Sequence, residues 1–249
     1  MKKILCLILS FVLSFIVYAT INSTVENIES FKIIENFIKD AKLVEEKSTS
    51  TTKFYEVKSD FELDSPTYYY NNGIYYPGGV GDILLTKKPA ITIPLIYEGI
   101  KFYIGGHAAL SGFSYEDQNK NIYVNESIEV TGFGNYTLVR DESKSSWNNS
   151  YYDEIFAMRV NTSLDNRFKA FNRAISYFDE PYNYSFIFDV FNRKYCSDLV
   201  SQSYDYVDIH LNYDGIATTI YDLMVNKNVY MTYYSKVDEN KIRHIYAVV

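Results

Sequence analysis

Gly105-Gly106-His107-Ala108-Ala109-Leu110-Ser111-Gly112 reads as a strand of small side chains, entered through two residues that carry none. Missing side chains at 105 and 106 let another segment come close to the imidazole of His107. Working outward, short aromatic and β-branched runs at Gly81–Thr86, Ile91–Tyr97, Ile100–Ile104 and Ile122–Thr131 are bounded by turn residues. They predict strands of an antiparallel sheet, which Val229–Tyr234 closes. Between them Leu164, Phe168, Phe171, Ile175 and Phe178 recur at helical spacing, with Thr162 or Ser163 as cap. Further helices are predicted at Ser197–Val207 and Thr218–Val225. Strands followed by helices on one core give an α+β class: an antiparallel sheet packed against helices.

The second chemically loaded stretch is Tyr195-Cys196-Ser197-Asp198-Leu199-Val200. Cys196 falls at the onset of a helix, with Ser197 and Asp198 available to cap its first turn. There the thiol faces unpaired amides and the positive end of the helix dipole, which favour thiolate. The same amides suit an oxyanion. A thiol packed inertly into a helix start, or one paired with another chain, are the alternatives. Of the three histidines, His107 is the one placed to serve as base; His210 sits among polar residues and His244 beside Arg243 near the terminus. Alternation from Tyr123 to Val130 sets Val124, Glu126, Ile128 and Val130 on one strand face. Glu126 is then a carboxylate on an apolar face that needs a partner. A hairpin could bring it to His107; a shifted register would leave it solvated.

At the N-terminus Lys2 and Lys3 precede an apolar run from Ile4 to Ala19, after which the chain turns polar. This is an export signal, either cleaved or kept as an anchor at the lower edge of spanning length. Both place the body outside the cytoplasm. Ile28, Phe31, Ile34, Ile38 and Ala41 then mark an amphipathic helix over 25–46, and Lys47–Lys53 reads as a Ser/Thr linker. The organisation is thus 1–19 signal or anchor, 20–73 helix and linker, and 74–249 main domain. Cys6 lies in the apolar run, so Cys196 is the lone thiol of the body. A formal net charge of −7, or −9 once Lys2 and Lys3 are removed, argues against a nucleic-acid partner. Three histidines and one body cysteine, with no pair at metal-binding spacing and no phosphate loop, predict neither metal nor cofactor.

Four ordered stretches resemble the circularly permuted relatives of the NlpC-type papain-like cysteine peptidases, the YiiX/YebB-like group. They are Gly81-Asp82-Ile83-Leu84-Leu85, Gly106-His107-Ala108-Ala109-Leu110, Pro181-Tyr182-Asn183 and Tyr195-Cys196-Ser197-Asp198-Leu199-Val200, within about 74–236. The resemblance implies a permuted papain-like fold with Cys196 as nucleophile, His107 as base and a third polar residue on the strand after the histidine, where Glu126 matches. It further implies Tyr182, beside Tyr195, lining the substrate or oxyanion site. The implied substrate is a peptide or acyl amide, with peptidoglycan stem peptide the expectation for an exported enzyme. Lipid amides or esters, and a binding module without activity, are the alternatives.

Overall fold

The computed structural model describes residues 2–249 except 60, 72, 91–96, 99–100, 102–103, 113, 117–121, 125–126, 132–136, 141–145, 148–150, 187–191, 213–214 and 216. Helix α1 (Lys2–Ile38) leads into β1 (Lys42–Leu43) and β2 (Thr52–Val57), then β3 (Tyr68–Asn71), β4 (Ile74–Pro77), β5 (Ile83–Thr86) and β6 (His107–Ser111). Strands β7 (Ser114–Glu116), β8 (Ile122–Val124), β9 (Ser127–Val130), β10 (Thr137–Arg140) and β11 (Glu154–Val160) follow. Helices α2 (Leu164–Ile175), α3 (Cys196–Asp205) and α4 (Ile220–Val225) precede β12 (Val229–Val237) and β13 (Arg243–Val248).

One nine-stranded sheet runs β1-β2-β13-β12-β11-β5-β6-β9-β10. Every pairing in it is antiparallel except β2 with β13. Both faces are covered. Ile83, Leu85, Ala108, Leu110, Ile128, Phe156 and Met158 share a core with residues of α2, α3, α4 and the end of α1. Their strand neighbours Leu84, Ala109, Ile155 and Ala157 share a second core with Tyr75, Trp147 and Tyr152. The sheet is therefore sandwiched between helices and an aromatic layer.

Several expectations are relocated by this packing. Strand β2 starts inside the stretch read as a linker and joins β13, so segment 20–73 supplies strands to the same sheet. The strands expected at 91–97 and 100–104 fall largely outside the described residues, and Tyr97, Glu98 and Lys101 are helical. Ser163 caps α2 by accepting from the Asn166 amide. The buried face of α2 is Arg167, Ala170, Phe171 and Ala174, while Leu164 and Phe178 are exposed. Arg167 turns that face inward because its guanidinium is tied to Asp64 and to the Thr162 carbonyl. The run expected as one strand over 122–131 is two: β8 pairs with β7 in a small separate sheet, and β9 pairs with β6.

A buried ion pair locks the entry to β5. Asp82 accepts from Arg159 Nε and Nη2, each at 2.8 Å, and from the Gly79 amide. Arg159 also donates to the Ser65 and Pro66 carbonyls, and both charged side chains are fully buried. Gly81, at φ +75°, lies so close to Arg167 that an added Cβ would meet its backbone oxygen at 2.7 Å. Removing one member of such a pair strands the other charge. Asp82→Asn should therefore cost about 3–5 kcal/mol in urea unfolding, and a loss below about 1 kcal/mol would show that the pair is not what holds this turn.

Candidate active site

The site forms where the start of β6 meets the start of α3. Gly106 has no room for a side chain: an added Cβ would lie 2.0 Å from the Thr86 carbonyl oxygen. The approaching segment is thus the end of β5, and Thr86 pairs with His107. Gly105, at φ +84°, seats the start of α4, where an added Cβ would meet the Tyr221 ring at 2.6 Å. That helix start is fixed by Thr219, which accepts from the Asp222 amide while Asp222 accepts from the Thr219 amide, and by the Ile220 amide donating to the Ile104 carbonyl.

His107 Nε2 lies 2.6 Å from Glu129 Oε2, with both side chains buried. Register explains the contact: Ala109 stands opposite Glu129, and His107, two residues before Ala109, projects from the same face as its diagonal neighbour. With Nε2 turned to the carboxylate, Nδ1 is left for a proton of the reacting group. The Cys196 side chain acts on the same imidazole. Burial alone would lower the imidazole pKa, but the hydrogen bonds and charges of Cys196 and Glu129 outweigh it and push it from 6.5 to about 9. Trp147 stacks on the imidazole at 5.7 Å between centroids, and Tyr152 packs tilted beyond it.

Cys196 is 2% exposed and begins α3. The cap position is Tyr195, which makes no side-chain cap hydrogen bond. Of the residues expected to cap the turn, Ser197 Oγ donates to the Thr218 carbonyl, and Asp198 accepts from Gln202. The first-turn amides beside the sulfur are consequently not capped by Tyr195, and the Cys196 N–H is suited to a developing oxyanion. Tyr195 Oη accepts from the Thr218 amide at 2.7 Å, so this tyrosine also fixes the 218 loop. Tyr182 reaches the site through a parallel bridge to Lys194, with the Asn183 amide donating to the Lys194 carbonyl. Burial, then the charge of Cys196, raises its phenol pKa well above the ordinary value. A cleft of about 560 Å³ runs along α3 from Tyr195 and Asp198 to Asp205, Tyr206 and His210, and neither Cys196 nor His107 lines it.

Of the residues expected from the sequence, Cys196, His107, Tyr182 and Tyr195 come together. Glu126 lies outside the described residues, and the carboxylate on His107 is Glu129, three positions later. Alternation from Tyr123 to Val130 treats these residues as one continuous strand. Residues 122–124 and 127–130 belong to different sheets, β8 with β7 and β9 with β6, and both faces of β9 are buried. His210 pairs with Asp205 on the surface, and His244 lies between Tyr55 and Asp238, both remote in the sheet from β6. Among the described residues no three of His, Cys, Asp and Glu are grouped as a metal site requires.

A family model for the permuted papain-like amidase enzymes, YaeF/YiiX, C92 family, matches residues 79–234. One solved structure, described as metalloprotein yiiX from Escherichia coli O157:H7, is similar at 14% identity over 62% of this chain and 96% of that one, with a TM-score of 0.45. No curated protein matches significantly.

A raised histidine pKa has a defined sign. Its contribution to stability is fully present below 6.5 and is lost as pH rises through about 9. Imidazole NMR should find the His107 midpoint near 9, displaced downward in Glu129→Gln; a midpoint at the ordinary value in both proteins would contradict the buried hydrogen-bonded arrangement.

Proposed function

The chain belongs to the permuted papain-like amidase family, and from that premise we propose that it is an exported thiol hydrolase using Cys196, His107 and Glu129. The observation that carries this reading is a single buried imidazole held 2.6 Å from a buried carboxylate and influenced by the Cys196 side chain at the start of α3. His107 accepts the thiol proton, and its raised pKa favours the imidazolium form. The thiolate attacks the amide carbonyl carbon, and the oxyanion meets the amide at the start of α3. As the C–N bond breaks, His107 gives its proton to the leaving amine. Water then attacks the thioester while His107 takes its proton, the C–S bond breaks, and the carboxylic acid and Cys196 are released. Glu129 holds the ring in orientation and stabilises the imidazolium throughout.

Export rests on Lys2, Lys3 and the Ile4–Ala19 run. Among the described residues no helix is long and apolar enough to cross a membrane. Peptide amides of the cell wall are the first substrate class to try, with N-acyl lipids beside them, because fold alone does not choose between them. The protein would be incubated with muropeptides and with N-acyl lipids, Cys196→Ala serving as blank, and products identified by mass. Cys196→Ala and His107→Ala should abolish turnover, Glu129→Gln should lower kcat by about 10²–10⁴-fold, and His210→Ala and His244→Ala should leave it unchanged. Turnover surviving in Cys196→Ala would end the thiol mechanism.

A further inference from the structure

The course of α1 relates the apolar N-terminal run to the catalytic end of the sheet. Its last turns belong to the domain: Ile34 is buried in the helix-side core, with Ile33, Phe37 and Ile38 packed against it, and the helix rests on α4 and β12. Two contacts give its direction. The Phe31 ring lies under Lys87 Nζ, 4.2 Å from its centroid, and Lys87 follows Thr86, the partner of His107. Six residues later Phe37 lines a cleft with Met158, Val229 and Val248, at the opposite end of these strands, since Met158 pairs with Ile83. Followed backward from Phe37 to Phe31, α1 therefore climbs toward the catalytic end. It continues past it as one helix to Lys2.

Beyond the domain the helix carries an apolar stripe. Val17, Tyr18, Ile21, Val25, Ile28 and Phe31 are all between 48% and 59% exposed. At about 100° per residue they fall on roughly the opposite side of α1 from Ile33, Ile34 and Phe37, which face the core. The stripe runs without a break into the Ile4–Ala19 segment. Continuity with so apolar a run argues for hydrocarbon as the occupant of its N-terminal part, up to about Ala19, with the rest of the stripe standing between the lipid and the domain. From Ala19 to Phe31 the helix rises about 18 Å, so the end of the sheet bearing His107 and Cys196 would stand about that far from the lipid and facing it.

We propose that α1 holds the catalytic end against a lipid bilayer, so that the amide cleaved is one carried by a membrane-held molecule. This rests on the thiol-hydrolase reading and narrows its substrate. Trp147, the single tryptophan, lies beside His107 and reports the position of the site. Full-length protein would be bound to phosphatidylethanolamine and phosphatidylglycerol vesicles containing dansyl-headgroup lipid, and energy transfer from Trp147 measured. Turnover would be compared for N-palmitoyl-glycyl-aminomethylcoumarin in the vesicles and the N-acetyl form in solution. Strong transfer is expected, with kcat/KM about tenfold or more in favour of the vesicle-held probe. Thr24→Pro, which breaks α1 outside the domain, should keep vesicle binding and turnover of the soluble probe while losing both transfer and preference. Undiminished Trp147 emission on vesicle-bound protein, a chain recovered from cells as a soluble species lacking residues 1–19, or a stripe buried instead in a two-chain helical dimer would each overturn the proposal. In those cases Cys196-dependent hydrolysis of the soluble probe would leave the thiol reading standing. Transfer without turnover of either probe would support the orientation and overturn the thiol reading.

Discussion

The contact between His107 and Glu129 is the constraint around which this molecule is arranged. Two ionisable groups withdrawn from water are tolerable only when each satisfies the other, and the 2.6 Å separation meets that condition. The contact depends on β6 and β9 being adjacent in one register, because a slip of one residue would turn Glu129 to the helix side. The register in turn depends on burial of both sheet faces, which anchors Ile128 and Leu110 on one side and Ala109 on the other. Glycine at 106 allows β5 to lie against the strand entry, so the imidazole begins its strand against backbone rather than against a side chain.

Cys196 and Glu129, the proposed nucleophile and orienting carboxylate, are delivered by different layers. Cys196 comes from the helix side, where Leu199 and Val200 bury the same turn in the core. Trp147 and Tyr152 close over the imidazole from the opposite side. His107 is where the two layers meet. Each group is held by its own packing, and the proton-transfer geometry follows from two rigid assemblies rather than from a flexible loop. Chain order is immaterial to this: histidine precedes cysteine here, and the roles follow from position.

Legibility from the sequence divided along physical lines. His107 and Cys196 could be read because each depends on local chemistry, paired glycines before one and a helix start after the other. The helical stretches were legible for the same reason, since caps and apolar spacing are local signals. Glu129 was not legible as the partner. Its selection depends on β8 and β9 joining different sheets and on an aromatic layer arriving from residues 147 and 152, neither of which alternation in 123–130 encodes. Strand β2 was missed because its parallel partner β13 lies almost two hundred residues later, a pairing no short window contains. Arg167 carries no local signal of burial, yet it lies on the buried face of α2 with its guanidinium tied to Asp64 and the Thr162 carbonyl.

The ion pair of Asp82 and Arg159 clarifies what a shared motif conveys. Gly81-Asp82-Ile83-Leu84-Leu85 leads toward the site, yet its acid makes no contact with Cys196 or His107 in the described interactions; it holds the 65–66 segment through Arg159. Tyr204, from the cysteine helix, donates to the Gly81 carbonyl at 2.5 Å, joining that turn to α3. The motif thus preserves the relation between β5 and the nucleophile helix, and with it the position of the sulfur relative to the strand beside it. A family signature of this kind specifies the reacting geometry. Around it stand features outside the signature: Tyr184 packed on Tyr182, and the helix that rises past Lys87.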